Sequence, residues 1–258
     1  MVALRGRAAA AQVRCWLKAR LGIKVHAMQT ISIVVPVFNE ALCLTDLIAR
    51  MQVLLARVQA PVSPNVDIIF VDGGSTDATQ ALVKAAGLRV ITSPKGRAWQ
   101  MNAGAAQTQG DILLFLHADT QLPAGVLDSI ASHLTSPVCW GRFDVRIAGS
   151  SRMLPVVARM MNWRSRCSGI ATGDQAMFMT RSAFNAIGGF PEQALMEDIE
   201  ASIRLKKLSR PACIASPVIT SGRRWDTRGV WPTIFLMWRL RWAYWRGQNV
   251  NQLARLYS

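Results

Sequence analysis

Val66-Asp67-Ile68-Ile69-Phe70-Val71, running straight into Asp72-Gly73-Gly74-Ser75, is the stretch that decides the fold. A near-continuous apolar run of β-branched and aromatic residues that stops at an Asp-Gly-Gly-Ser turn describes a strand buried on both faces, which belongs in a parallel sheet covered by helices. The pattern repeats outward in both directions. Upstream lie the strand-like Ile31-Ser32-Ile33-Val34-Val35-Pro36 and then Leu44, Leu47, Ile48, Met51, Leu54, Leu55 and Val58, spaced as the stripe of a helix packed on one side. Downstream, the pattern predicts a helix over 76–86, a strand over 88–92, a helix over 97–109 and a buried strand at Ile112-Leu113-Leu114-Phe115-Leu116. This alternation predicts a doubly wound α/β sheet with right-handed crossovers.

Ligands of such sheets sit beyond the carboxyl ends of the strands. The residues there are Asn39 and Glu40, Asp72, Lys95 and Arg97, and His117 and Asp119. Any one of them alone reads as a turn or a helix cap. Polar groups gathered from four separate segments at one sheet edge describe a site.

Composition narrows the function. The chain has 258 residues, enough for one substantial domain with a core of its own. With 51% hydrophobic and 17% charged residues it is not disordered, and it holds no uncharged apolar run long enough to span a membrane. The formal charge of +15 is concentrated at the ends: residues 1–28 carry six basic and no acidic residues, residues 201–258 eleven basic residues against Asp226 alone, and the middle nets −1. A nucleic-acid-binding module would carry its basic groups on the folded face, so nucleic acid is not the expected partner. Five cysteines without a CxxC pair indicate neither a zinc knuckle nor a disulfide framework, and point to a reducing cytoplasm. Arg14, Lys18 and Arg20 break up any signal-peptide core, so residues 1–28 read as a basic N-terminal extension.

The dinucleotide GxGxxG, the P-loop and HExxH are all missing. Asp119 behind a buried strand, with His117 beside it, offers oxygen and imidazole to a divalent cation on a diphosphate, which suits Mg²⁺ or Mn²⁺. Four stretches then carry a resemblance: Val35-Pro36-Val37-Phe38-Asn39-Glu40, Val71-Asp72-Gly73-Gly74-Ser75-Thr76-Asp77, Gly96-Arg97-Ala98-Trp99-Gln100-Met101-Asn102-Ala103-Gly104 and Phe115-Leu116-His117-Ala118-Asp119-Thr120. In order and spacing they resemble the motifs of glycosyltransferase family 2. Gly173-Asp174-Gln175, Gly188-Gly189-Phe190 and Met196-Glu197-Asp198-Ile199-Glu200 resemble that family's acceptor-side loop and catalytic carboxylate region, and the likeness covers about 30–225.

The resemblance implies a GT-A fold, Rossmann-like and mostly parallel, and inverting transfer of a sugar from a nucleotide-diphosphate sugar, UDP- or GDP-linked, to an acceptor hydroxyl. It implies that Pro36, Phe38, Glu40 and Asp72 surround base and ribose, with Lys95, Arg97 and Asn102 also on the donor side. Asp119 takes the place of the metal-contacting aspartate, with His117 beside it. Asp198 takes the place of the general base, with Glu197 next to it. Gly173, Asp174 and Gln175 lie toward the acceptor, as does Arg224-Trp225, which resembles an Arg-Trp element near the active site of several members. Two positions depart from the family: His117 stands where many members have the first Asp of DxD, and Gly73 replaces the second Asp of an Asp-Asp-Gly-Ser run. His117-Ala118-Asp119-Thr120 with Gly188-Gly189-Phe190-Pro191 and Leu195-Met196-Glu197-Asp198 is similar to the bacterial branch named for arsenosugar biosynthesis or for association with radical-SAM and selenium-related genes.

The expected organisation is therefore a basic extension over 1–28, a catalytic domain over 29–225 and an amphipathic helical tail over 226–258. In the tail Trp231, Phe235, Trp238, Trp242 and Trp245 fall on one helical face, flanked by Arg239, Arg241 and Arg246. Such a face packs on the body, closes a homodimer, or lies in an anionic membrane interface at the inner side of the cell membrane. Two other readings of the whole chain compete with a transferase. A nucleotidyltransferase normally has a Gly-rich loop after the first strand, where this chain has Pro36-Val37-Phe38-Asn39-Glu40. A non-catalytic binding protein with a decayed site would explain His117 and Gly73, but it sits poorly with Asp119 and Asp198 both being present.

Overall fold

The chain is described here by a computed structural model covering residues 30–58 and 65–257, so the N-terminal extension lies outside the described residues. The expected alternation is present: β1 (Ile31–Val37), α1 (Ala41–Val58), β2 (Val66–Asp72), α2 (Thr79–Ala85), β3 (Arg89–Thr92), α3 (Arg97–Ala106) and β4 (Ile112–Phe115). β1 pairs in parallel with both β2 and β4, and β2 with β3. Along β1, Ile33 and Val35 join Leu44, Leu47, Phe70 and Leu114 on one face of the sheet. Val34 joins Val71, Ala98, Met101 and Leu113 on the other. This burial on both faces is what the unbroken apolar runs required.

The second half adds β5 (Thr120–Gln121), α4 (Val126–His133), β6 (Trp140–Ala148), α5 (Leu154–Ser168), a single 3₁₀ turn at Gly173–Gln175, β7 (Phe178–Thr180), α6 (Arg181–Ala186), α7 (Glu197–Leu205) and β8 (Ala212–Ser221). The sheet runs β3-β2-β1-β4-β7-β6-β8-β5. β7 is antiparallel to β4 and β6, and β5 is antiparallel to β8, so a mostly parallel sheet acquires antiparallel pairs in its second half. Strand order turns back at β1, from which the chain crosses from the β2–β3 side to β4, and the crevice at this switch point lies beyond the carboxyl ends of β1 and β4.

The tail forms three helices, α8 (Arg223–Arg228), α9 (Val230–Trp245) and α10 (Val250–Tyr257), where the sequence pattern predicted one. Gly247, at φ 76°, lies in the break between α9 and α10. Leu240 and Ala243 of α9 meet Leu195, Met196 and Leu253 in a small core of their own, and the Tyr244 hydroxyl donates to Glu200 Oε2 at 3.4 Å. The aromatic stripe is on the opposite side, facing outward: Trp231 is 60% exposed, Trp238 and Trp242 57% and Trp245 80%. The stripe is therefore not part of the protomer's core.

Candidate active site

The loops after β1 and β2 are stitched together by hydrogen bonds. Asn39 N donates to Ser75 Oγ (2.9 Å), Thr76 N donates to Asn39 Oδ1 (2.8 Å) and Glu40 N donates to Thr79 Oγ1 (3.0 Å). Asn39 adopts φ 53° to make these contacts. Ala176 (φ 46°) and Met196 (φ 64°) are the other non-glycine residues in the left-handed region among the described residues, and both adjoin the same crevice. Met196 caps α7 and turns the chain so that Glu197 and Asp198 open the helix. Backbone strain collected around one cleft is a mark of a functional site.

On the donor side, Lys95 Nζ lies 4.0 Å over the ring of Phe38. Glu40 Oε2 is 3.8 Å from Arg223 Nη2. Burial raises the Glu40 pKa, Asp119 adds to the rise, and Arg223 and Arg97 oppose it. Glu40, Asp119, Arg97 and Arg223 thus share one electrostatic neighbourhood. Crowding by protein atoms pushes the Arg97 pKa down, but Tyr257, Glu197, Asp174 and Asp198 outweigh it and hold the guanidinium above its ordinary range. Arg97 is nonetheless solvent-exposed, as expected for a group deep among charges in an open cleft.

A second cluster adjoins this one through Arg97. His117 Nδ1 lies 3.4 Å from Asp174 Oδ1. The imidazole packs so closely over Gly173 that a Cβ there would overlap it. Gly173 N donates to Asp198 Oδ2 at 2.9 Å and Ile199 N to Asp198 Oδ1 at 2.7 Å, fixing the carboxylate plane. Burial pushes the Asp174 pKa up, but the His117 hydrogen bond and then the His117, Arg97 and Arg224 charges outweigh it and lower it. Met101, Phe115, His117, Gly173, Glu197 and Asp198 surround a void of about 10 Å³ at the base of the cluster. A cavity of about 1140 Å³ between β6 and α5 includes none of these residues.

Glu197 is buried, and burial followed by its neighbour Asp198 raises its pKa. Such a group binds its proton more tightly when folded, so its stabilising effect is complete below the unfolded pKa and is lost as pH rises through the folded value. Glu197→Gln is therefore expected to raise Tm at pH 8, by about 2–4 °C for each kcal/mol of relieved burial in a chain of this size. The gain should disappear near pH 4, and thermal melts across that range check it.

Several residues expected at the ligand also tie the scaffold together. Asp72 is fully buried, and its carboxylate accepts from Gly74 N, Ser75 N, Ser75 Oγ and Gln80 Nε2, so it is spent in shaping its own loop. Pro36 is buried inside β1 and paired with Val71. Asn102 clasps the Phe190 backbone at both ends, donating to its carbonyl (2.8 Å) and accepting from its N–H (2.9 Å). Gly189, at φ 75°, leaves the room for that clasp. Gln175 is fully buried and caps its own turn with Thr172. Trp225 packs on the main core, while Arg224 stacks on Tyr257 at 3.8 Å. His117 turns toward Asp174 and Gly173, while Asp119 acts on Glu40. Gln100, which the sequence did not single out, donates to the Val37 and Val71 carbonyls and fills the space beside Gly73 where a side chain would stand. Arg223, Arg164, Arg241 and Tyr257 also reach the site unannounced, because no motif marks them.

Residues 32–188 match the glycosyl transferase family 2 description, more than half of the chain. The chain belongs to glycosyl transferase family 2. Within the family it is 27% identical over 193 residues to a beta-monoglucosyldiacylglycerol synthase of Synechocystis, covering 64% of this chain and 40% of that protein. It is 29% identical over 109 residues to an undecaprenyl-phosphate 4-deoxy-4-formamido-L-arabinose transferase of Pseudomonas fluorescens, covering 39% and 31%. The chain thus spans well under half the length of these curated relatives. Its fold is similar to that of a Pyrobaculum calidifontis mannosyltransferase solved with GDP-mannose and Mn²⁺, at TM-score 0.56 and 18% identity, covering 94% of this chain and 71% of the other. A glucosyl-3-phosphoglycerate synthase of Mycobacterium tuberculosis, solved with Mn²⁺ and UDP, gives TM-score 0.51 at 18% identity, covering 74% and 71%. Both likenesses support the GT-A fold.

Proposed function

We propose that this protein is an inverting glycosyltransferase that moves a sugar from a UDP- or GDP-sugar to an acceptor hydroxyl. The observation that carries the reading is two neighbouring charged clusters linked by Arg97, which acts on Glu40 beside Asp119 and feels Asp198, itself fixed by the Gly173 N–H. Phe38 and Lys95 flank the nucleotide. Asp198 accepts the acceptor's proton as its oxygen attacks the anomeric carbon, the bond to the diphosphate breaks with its electron pair on the leaving oxygen, and Arg97 faces the charge that develops there. His117 and Asp174 position the Gly173 backbone that orients Asp198.

Among the described residues no three His, Cys, Asp or Glu side chains form a metal cage. Asp119 alone fits Mg²⁺ or Mn²⁺, hard cations that keep waters and take their other ligands from phosphates. Bound there, such a cation supplies charge neutralisation to the diphosphate. Release of UDP or GDP from a panel of donor sugars in the presence of Mn²⁺ tests the reading. Release from one donor supports it, and release from none overturns it. The likeness of His117-Ala118-Asp119-Thr120 to the arsenosugar and radical-SAM-associated branch favours a small-molecule sugar acceptor, whereas both relatives above have lipid-derived names.

The exposed tryptophans favour a peripheral membrane location at the inner face of the cell membrane. No helix among the described residues is long and apolar enough to cross a membrane. Trp231, Trp238, Trp242 and Trp245, with exposed Arg239 and Arg246 alongside, have the composition of a helix lying in an anionic interface. Trp238→Ala with Trp242→Ala is expected to weaken sedimentation with anionic vesicles at least about tenfold, with salt weakening the wild type. Absence of vesicle binding at low salt, with a dimer in solution, would assign the stripe to a homodimer instead.

A further inference from the structure

The structure carries uncompensated positive charge beside Asp198. Arg164 Nε and Nη2 and Arg224 Nη1 are cut off from solvent and have no hydrogen-bond partner. Arg164 projects from α5, and Arg224 and Arg241 from the consecutive tail helices α8 and α9. Arg164 and Arg241 act on one another and both feel Asp198, while Asp174 feels Arg224 and acts on Arg241. Among the described residues no hydrogen bond joins Asp198 to either guanidinium; its oxygens accept from the Gly173 and Ile199 N–H groups. Arg142, buried nearby in β6, also leaves its Nε without a partner, but both its terminal nitrogens are paired, with Asp144 and the Asn162 carbonyl.

Buried guanidinium N–H groups without acceptors are costly and are ordinarily completed by a partner. Their planar forks match the paired oxygens of phosphate or carboxylate. We propose that Arg164 and Arg241, with Arg224 at the edge, form an anion subsite that binds a phosphate or carboxylate on the acceptor and so presents its hydroxyl to Asp198. This rests on the transferase reading for the acceptor's role, but the anion site itself does not. Burial first, and then the Arg241 and Arg142 charges, depress the Arg164 pKa to about 10, a penalty that a bound anion would relieve.

The test is a thermal-shift and calorimetric titration with inorganic phosphate at matched ionic strength. Wild type and the exposed-arginine control Arg57→Gln should bind with equal affinity, and Arg164→Gln/Arg241→Gln should lose at least about tenfold. If the double variant does not fold, Arg241→Gln alone should lose about threefold or more. Equal phosphate affinity in wild type and variant, or no phosphate binding by the wild type, overturns the proposal. Donor binding measured on the same samples is expected to be unchanged, so its loss from every sample would discredit the transferase reading separately. Glycerol phosphate and phosphatidic acid vesicles then distinguish the source. Arginine-dependent preference for the first assigns a soluble phosphorylated acceptor, and for the second a lipid phosphate.

Discussion

Asp198→Asn is expected to lower transfer by about 10²–10⁴-fold, the usual worth of a general base. Donor affinity should stay within about threefold, because the substitution removes a proton acceptor and no phosphate contact. The argument is geometric. Met196 in the left-handed region starts α7 at Glu197, and the first turn holds Asp198 against the Gly173 N–H. Asn can keep one of the two hydrogen bonds that orient the side chain, but its amide cannot take the acceptor's proton. Steady-state kinetics beside donor titration separate the two effects, and near wild-type turnover would remove Asp198 from the mechanism.

Asp119→Ala should act on the other half of the reaction. It is expected to weaken Mn²⁺-dependent donor binding at least about tenfold, or 1.4 kcal/mol, while leaving the weak metal-free affinity that the Phe38–Lys95 side provides. Asp119 lies in the turn after β4, and no three His, Cys, Asp or Glu side chains among the described residues form an alternative metal cage. Unchanged affinity with Mn²⁺ present would show that the diphosphate is held without it.

The sheet could be read in advance because β1, β2 and β4 are buried on both faces and spell that out as unbroken apolar runs, with turns falling where Gly and Asp punctuate them. The antiparallel strands β5 and β7 could not, since they are two and three residues long and take their place from pairing partners distant in sequence. In the site, the positions of the polar residues were legible and their directions were not. Asp72 and Asn102 stand where a ligand contact was expected, yet each turns inward to tie a loop, and a sequence pattern does not distinguish a carboxylate facing its own turn from one facing a nucleotide. Arg164 and Arg241 were invisible for the opposite reason: each is one cation among many on a basic helix, and only the fold brings both to Asp198.

The most direct test of the central claim is calorimetric titration of the wild-type protein with UDP- and GDP-sugars, with and without Mn²⁺. The account predicts that one nucleotide class binds, at least about tenfold more tightly with the cation present. Failure of every nucleotide sugar to bind in either condition would contradict it and leave a family 2 fold without a family 2 donor site.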